Sequence, residues 1–376
     1  MPVFRFLIIL LTFILINVYL FMRGWQAIPS RYGLHLAYSL VYVVTFSSIF
    51  FAIFLGNRLP IWLGHAFEII GGYWMILFVY IVFAAIIGDL LRLANNWFGI
   101  FPQAITANYQ AAKFGYLISV LVILFLISII GYIRFNNPTI TRLNVPFENP
   151  HRDKTEIHAV VISDTHLGNL IRKERLSNWV ELINEQKPDI ILIAGDLIDH
   201  SLKTVELQKM EEELLQLKAT YGVYAIPGNH DYYAGIEGTL KFMKRSGITV
   251  LRDSVVIIDN KIALIGRDDI TNRNRRQLGS LVEGLNSGMP RIVLDHQPHS
   301  MGESLDNQID LHISGHTHNG QIFPLNLIVA KIYELGYGYK KTGNTHYFVS
   351  SGLGLWGAPL RFGTRSEIVS IMLKVN

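Results

Sequence analysis

Apolar residues fall along the chain in two regimes. Up to residue 133 they form four runs, near 3–22, 34–55, 67–88 and 114–133, with almost no charge inside them. A helix needs about 20 such residues to cross hydrocarbon, so each run predicts a spanning helix. From residue 155 the apolar runs shorten and alternate with amphipathic stretches. Runs at 157–163, 190–195 and 223–227 predict buried strands, with helices between them at 172–185 and 205–218. That alternation implies βαβ units with parallel strands. Further strands are expected at 255–258, 262–266, 292–294, 311–314, 347–350 and 368–373. Strands outnumber helices there, which predicts an α/β domain of two packed sheets flanked by helices.

The segment 134–154, with Asn136, Asn137, Pro138, Pro146 and Pro150, reads as a linker. It would join a four-span membrane region at 1–133 to a soluble domain at 155–376. Charge follows the same division. Arg5, Arg23, Arg31, Arg58, Arg92 and Lys113 face only Glu68 and Asp89 in the first region, an excess equal to the whole formal net charge of +4. The remainder is balanced and gives no support to a nucleic-acid partner. Glu68 and Asp89 fall at the ends of the third run, where they are expected at the interface and not on an ion path. The stretch 89–113, with Trp97, Phe98, Phe101 and Tyr109, is expected to form an interfacial helix. The first run exceeds the ~7–15 residue core of a signal peptide and no A-x-A site follows, so it reads as a retained anchor. The chain has no cysteine. Disulfides, thiolate ligands and cysteine nucleophiles are thereby excluded, and a metal site must use His, Asp, Glu or Asn.

Those residue types gather just past the predicted strand ends, where open α/β sheets bind ligands. The first strand leads into Ser163-Asp164-Thr165-His166. In an extended segment alternate residues point the same way, so Asp164 and His166 can reach one ion. The second leads into Gly195-Asp196-Leu197-Ile198-Asp199, where the glycine permits a sharp exit and the Asp196 carboxylate can bridge two ions. Asp199 reads as a cap or support. The third leads into Gly228-Asn229-His230-Asp231. Asn229 offers a neutral amide oxygen, His230 can donate or accept a proton, and Asp231 can fix the imidazole tautomer. His296 follows the run 291–294, and Gly315-His316-Thr317-His318 follows 311–314. One such histidine is usually a packed residue; five strand ends carrying ligand types in order need another explanation.

The series D-x-H, G-D-x-x-D, G-N-H-D, lone H and G-H-x-H from Asp164 to His318 resembles the calcineurin-like metallophosphoesterase family. The phrases Ser314 to Gln321 and Ser350 to Gly354, with Arg361-Phe362, look like its branch of membrane-associated bacterial phosphodiesterases. That branch includes enzymes similar to UDP-diacylglucosamine diphosphatases. Asn319 stands where the branch commonly has glycine, which bears on substrate fit. The resemblance implies a four-layer αββα sandwich and two divalent ions, manganese, iron or zinc. It assigns Asp164, His166, Asp196 and His318 to one ion, and Asp196, Asn229, His296 and His316 to the other. It leaves His230 to protonate the leaving oxygen. Such ions bind phosphoryl oxygens and activate a water for in-line attack.

The expected activity is hydrolysis of a phosphodiester or pyrophosphate, with a lipid-linked envelope precursor as the substrate that tethering suggests. The alternative is a membrane sensor or scaffold that binds a ligand without turnover; a transporter has little support in spans so poor in charge. Arg267, Arg273, Arg275 and Arg276 form a basic cluster that offers either a second phosphate site or a solvated face. His299, His312 and His346 read as structural or surface residues, and Trp356 and Leu355 as packing residues with lipid contact as the alternative. Four crossings put both termini on one side. Basic flanks favour the cytoplasmic side of a bacterial inner membrane. A reporter fused after Asn376 should accordingly be active only when it works inside the cell; activity restricted to an exported reporter would reverse the orientation.

Overall fold

The computed structural model describes residues 2–55, 58–147, 155–286 and 288–375. The chain divides into two compact units, Met1–Ile130 and Gly131–Asn376. Helices α1 (Pro2–Ala27), α2 (Tyr32–Leu55), α3 (Ile61–Phe98), α4 (Gln103–Ala107) and α5 (Tyr109–Asn136) open the chain. Four of them hold segments long and apolar enough to cross a membrane: Leu7–Ala27, Gly33–Leu55, Trp62–Phe98 and Tyr109–Asn136. Many of their large apolar side chains are exposed, as lipid-facing residues would be. No separate interfacial helix spans 89–113. Residues 90–98 lack a helix breaker and simply extend α3, which stops at Gly99 in the left-handed conformation, φ 61°, with its N–H donating to the Asn95 carbonyl. Asp89, expected at the interface, has partners within the helical unit. It accepts from the Tyr19 hydroxyl at 2.8 Å and pairs with Arg23.

Among the described residues the second unit has twelve strands. These are β1 (Thr139–Phe147), β2 (Thr155–Ile162), β3 (Ile190–Ala194), β4 (Val223–Ile226), β5 (Ile248–Val250), β6 (Ser254–Ile258), β7 (Ile262–Gly266), β8 (Arg291–Leu294), β9 (Leu311–Ser314), β10 (Gly338–Thr342), β11 (Thr345–Val349) and β12 (Glu367–Val375). They form two six-stranded sheets, ordered β1-β12-β2-β3-β4-β5 and β10-β11-β9-β8-β7-β6. Strands β2 to β5 run parallel, as do β7, β8, β9 and β11, while β12 against β2, β6 against β7 and β10 against β11 are antiparallel.

Strand alternation decides the layers. Ile157, Ala159, Val161, Ile190, Leu192 and Ala194 face Leu264, Ile292, Leu294, Leu311 and Ile313 of the other sheet in one core. Val160, Ile162, Ile191 and Ile193 point the other way, onto Leu176, Trp179, Val180 and Ile183 of α6 (Lys173–Glu185). On the far side Ile265 and Val293 meet Leu278 and Leu281. Helix, sheet, sheet and helix follow in that order.

The stretch 134–154 is more than a linker. Residues 139–147 form β1, which pairs in parallel with β12 along its whole length. Pro146 is tolerated because β1 is an edge strand and owes hydrogen bonds on one side only. The rest of that stretch, 148–154, lies outside the described residues. Helix 205–218 is also divided, into Leu202–Leu207 and Glu211–Leu214.

Phe135, in the last turn of α5, is fully buried in the core under α6. Its ring meets Trp179 edge-on at 6.4 Å, and the Arg175 guanidinium lies 4.2 Å from its centroid. Truncation to Phe135→Ala should cost about 3–5 kcal/mol. Thermal unfolding of the detergent-purified full chain reads this as a lowered melting temperature; an unchanged one would contradict the packing.

Candidate metal centre

Every predicted donor lies on a loop that leaves the carboxyl end of a parallel strand: β2, β3 and β4 from one sheet, β8 and β9 from the other. The loops are tied by main-chain bonds. Asp164 N–H donates to the Gly195 carbonyl at 3.0 Å, His166 N–H to Asp196 at 3.1 Å, and Gly315 N–H to His296 at 2.9 Å. The local backbone is not extended, as the D-x-H and H-x-H spacing would suggest. Asp164, His166, Asp196, His316 and His318 all have φ between 48° and 71°. Non-glycine residues avoid that region, and such strain gathers where surrounding structure over-determines a functional geometry. Gly195 takes φ 90°, and a Cβ there would overlap the His296 ring; a Cβ on Gly228 would overlap the Asp196 carboxylate. Both glycines are required by close approach of one loop to the next.

Three groups of donors result among the described residues, each with its ligand atoms within 4.8 Å of one another: Asp164, His166 and His318, all buried; Asp196, His296 and the half-buried His316; and His166 with Asp199 and His230, the last two half-buried. In the first, His166 Nε2 lies 3.1 Å from His318 Nε2, and His318 Nε2 lies 3.6 Å from Asp164 Oδ1. In the second, His296 Nδ1 faces the Ala194 carbonyl at 2.8 Å, so Nδ1 carries the proton. That leaves Nε2, 3.0 Å from Asp196 Oδ2, to take a second proton or a cation. Two acceptors this close need a proton or a metal cation between them. Asp196 stands between the first two groups, its Oδ2 also 3.8 Å from His166 Nε2. Asn229 is buried, and its Oδ1 has no hydrogen-bond partner. A buried amide oxygen left unpaired costs free energy unless something binds it.

Asp199 and Asp231 exchange the parts expected of them. Asp231 accepts three main-chain N–H groups, from Gly228 at 2.9 Å, Ile198 at 3.0 Å and Leu197 at 3.3 Å. It therefore clamps the β3 and β4 loops and is not the partner of His230. Asp199 Oδ1 instead lies 3.0 Å from His230 Nδ1 and 3.3 Å from His166 Nδ1. One carboxylate oxygen thus lies within ion-pair reach of both rings, and the Asp199 main-chain carbonyl faces His230 Nδ1 at 3.2 Å. Proximity in sequence misleads here, because the helical turn at Asn229–Tyr233 turns Asp231 back toward the backbone it caps.

Burial and neighbouring charge set the protonation states. Burial, with His296 beside it, pushes His316 down to about 3. Burial, with His166 and Arg361 nearby, pushes His318 well below the usual range. Both rings stay neutral. Burial opposes charge on His296 and His230 too, but Asp196 outweighs it at the first, and Asp199 with Asp196 at the second, so both are raised. Burial raises the Asp164 carboxyl, whereas Asp196, also buried, is held low by His296 and His166.

Arg361, noted in the sequence only as part of a phrase that carries the resemblance, is a positioning residue. Its side chain is wholly buried, and Nη2 donates to the carbonyls of Ser351 at 2.7 Å and Gly352 at 3.1 Å and lies 3.4 Å from His318 Nδ1. The segment it gathers closes over the first loop, with Leu353 N–H on Ser163 and Gly354 N–H on Asp164, both at 2.9 Å. Only its place after a glycine-rich phrase signals this. The basic cluster is not a phosphate cradle. Arg267 is buried against Asp295 at 3.3 Å and Glu303 at 2.8 Å, Arg275 pairs with Asp295 at 3.0 Å, and Arg276 donates to the Ser280 carbonyl. Arg273 is exposed. His312 is buried between the hydroxyls of Ser304 and Ser314, His346 meets the Tyr339 hydroxyl at 2.7 Å, and His299 is exposed. Leu355 is core, but Trp356 is 47% exposed.

Residues 157–320 match the family model described as calcineurin-like phosphoesterase. An uncharacterized metallophosphoesterase of Helicobacter pylori is 39% identical over 58% of this chain, and the match spans 60% of that relative's length. A transmembrane protein with metallophosphoesterase domain from Danio rerio is 31% identical, over 85% of this chain and 76% of its own. An uncharacterized metallophosphoesterase of Campylobacter jejuni is 30% identical over 98% of this chain and 97% of its own.

Asp199→Asn should lower the His230 pKa, because the charge that favours its imidazolium is removed. A raised folded value stabilises the protein below the free value of about 6.5 and is lost as pH rises through the folded one. The variant should therefore lose stability relative to the parent at acid pH and little above neutrality. Histidine-resolved NMR titration of the metal-free chain checks this; an unmoved His230 would refute the coupling.

Proposed function

The chain belongs to the calcineurin-like metallophosphoesterase family, and we propose that it is a membrane-anchored hydrolase in which two divalent ions cleave a phosphodiester or pyrophosphate. The membrane part of the reading rests on four helices able to cross a bilayer and on relatives named as transmembrane proteins. The proposed division keeps a membrane region over 1–133 and a catalytic domain over 155–376, with β1 now joined to the catalytic sheet.

The observation that carries the reading is His296 Nε2 held 3.0 Å from Asp196 Oδ2, beside a second group in which two histidine nitrogens converge at 3.1 Å. Acceptors forced together in a dry site fit cations. Asp164, His166, Asp196 and His318 would hold one ion; Asp196, Asn229, His296 and His316 would hold the other. Mixed nitrogen and oxygen donors suit manganese, iron or zinc. Bound ions would polarise the phosphoryl oxygens and lower the pKa of an attacking water.

The chain's own residues do the rest. His316 and His318 stay neutral and keep their lone pairs. Asp199 Oδ1 stands beside Nδ1 of both His166 and His230 and favours the charged form of His230. His230, its pKa raised by Asp199 and Asp196, holds a proton to give to the departing oxygen. Asp231 contributes by fixing two loops. The substrate class follows from tethering: an amphiphilic phosphoester, such as a lipid-linked envelope precursor, reached at the cytoplasmic face of a bacterial inner membrane.

The full chain loaded with Mn²⁺ should hydrolyse bis-p-nitrophenyl phosphate. His230→Ala should lower kcat by about 10²–10⁴-fold, the usual contribution of a positioned acid. Asp196→Asn should abolish turnover together with metal retention. Rates unchanged in both variants would rule the mechanism out.

A further inference from the structure

The helix Leu325–Ile332 follows the G-H-x-H loop and has no buried residue. Its apolar side chains nevertheless point to solvent: Leu327 is 54% exposed, Ile328 52% and Ile332 65%, and Phe323 and Trp356 are 47% exposed beside it. Ile328 and Ile332, four residues apart, share one face. An apolar cluster this dense on a small domain marks a contact surface.

Two connections say where that surface lies. The first leads to the metal centre. The segment leaves the site at Asn319, directly after His318, and returns with the Tyr333 ring 6.3 Å from that of His316 and 5.1 Å from that of His299. Thr317 Oγ1 donates to the Gly336 carbonyl at 2.6 Å and closes the base. The second leads to the point where the chain enters this unit. Gln321 Nε2 donates to the Trp356 carbonyl at 3.0 Å, and Phe323 N–H donates to Phe362 at 2.6 Å. The same 356–362 segment packs on the last turns of α5, with Arg361 N–H on the Gly131 carbonyl at 3.1 Å and Leu360 against Gly131. Those turns belong to a helix long and apolar enough to cross a membrane. The apolar helix is therefore joined, through the 356–362 segment, to the residues by which the chain enters this unit.

We propose that Leu325–Ile332, with Phe323 and Trp356, seats in the headgroup layer of the bilayer and presents the metal centre to phosphoesters held there. The occupant is a lipid surface. Short amphipathic helices with a lysine, here Lys331, lie in that layer with the apolar face down and the ammonium at the rim, and tryptophan favours the same depth. Docking stands on the geometry alone; delivery of an amphiphilic substrate rests on the hydrolase reading above.

The absence of cysteine makes a direct test available. The full chain carrying Ile328→Cys, labelled with an environment-sensitive fluorophore, is reconstituted into vesicles of phosphatidylethanolamine and phosphatidylglycerol that contain nitroxide-bearing acyl chains. The label should be quenched several-fold more than one at Lys209→Cys, an exposed position outside the cluster. Equal quenching would overturn docking, and so would a label shielded from aqueous iodide but untouched by lipid nitroxide, which would mean a second copy covers the face. The doubly substituted Leu327→Glu, Ile328→Glu chain should hydrolyse a vesicle-borne phosphodiester about tenfold more slowly. Its turnover of soluble bis-p-nitrophenyl phosphate should match the parent. Equal loss on both substrates would assign the helix to the stability of the site and overturn the delivery step. If the parent turns over neither substrate, the hydrolase reading fails while quenching still decides docking.

Discussion

Asp196 is a carboxylate buried among acceptors, and the arrangement of the second unit follows from the need to keep it there. Its backbone takes a left-handed turn, one oxygen accepts from the His230 N–H at 2.8 Å, and the other faces His296 at 3.0 Å. Holding such a group takes three loops from one sheet and two from the other, because no single strand end supplies enough partners. Gly195 and Gly228 remove the side chains that would otherwise keep those loops apart. A buried, ionised carboxylate is costly unless paired, so the fold is committed to supplying positive charge at this point, by imidazolium or by metal.

That commitment explains the supporting residues. Asp199 places its carboxylate beside two histidines, Asp231 closes the β3 and β4 loops with three main-chain bonds, and Arg361 gathers the glycine-rich segment over Asp164. Strain in five left-handed residues is the counterpart of that over-determined geometry.

Much of this is legible in the sequence, for a physical reason. The donors follow directly on apolar runs, so the strands and the loops that carry donors are found together, and long uncharged stretches announce the helices able to cross a membrane. What stays hidden depends on partners distant along the chain. Strand β1 carries Pro146 and a mixed composition, and becomes a strand only because β12, more than two hundred residues on, pairs with it. Arg267 and Arg275 look available for phosphate until Asp295 from another loop neutralises them. Asp231 looks like the partner of His230 by adjacency, whereas Asp199 arrives from the previous strand end. Asp164, His166, His316 and His318 turn left-handed and are not extended, so the D-x-H and H-x-H spacing brings donors together without strand alternation.

The central claim is that these converging acceptors hold a pair of neighbouring cations. Electron paramagnetic resonance of the full chain titrated with Mn²⁺ tests it most directly. The account predicts an exchange-coupled multiline signal that saturates at two ions per chain and is lost in Asp196→Asn. An isolated single-ion spectrum at saturation, or no binding at all, would contradict it.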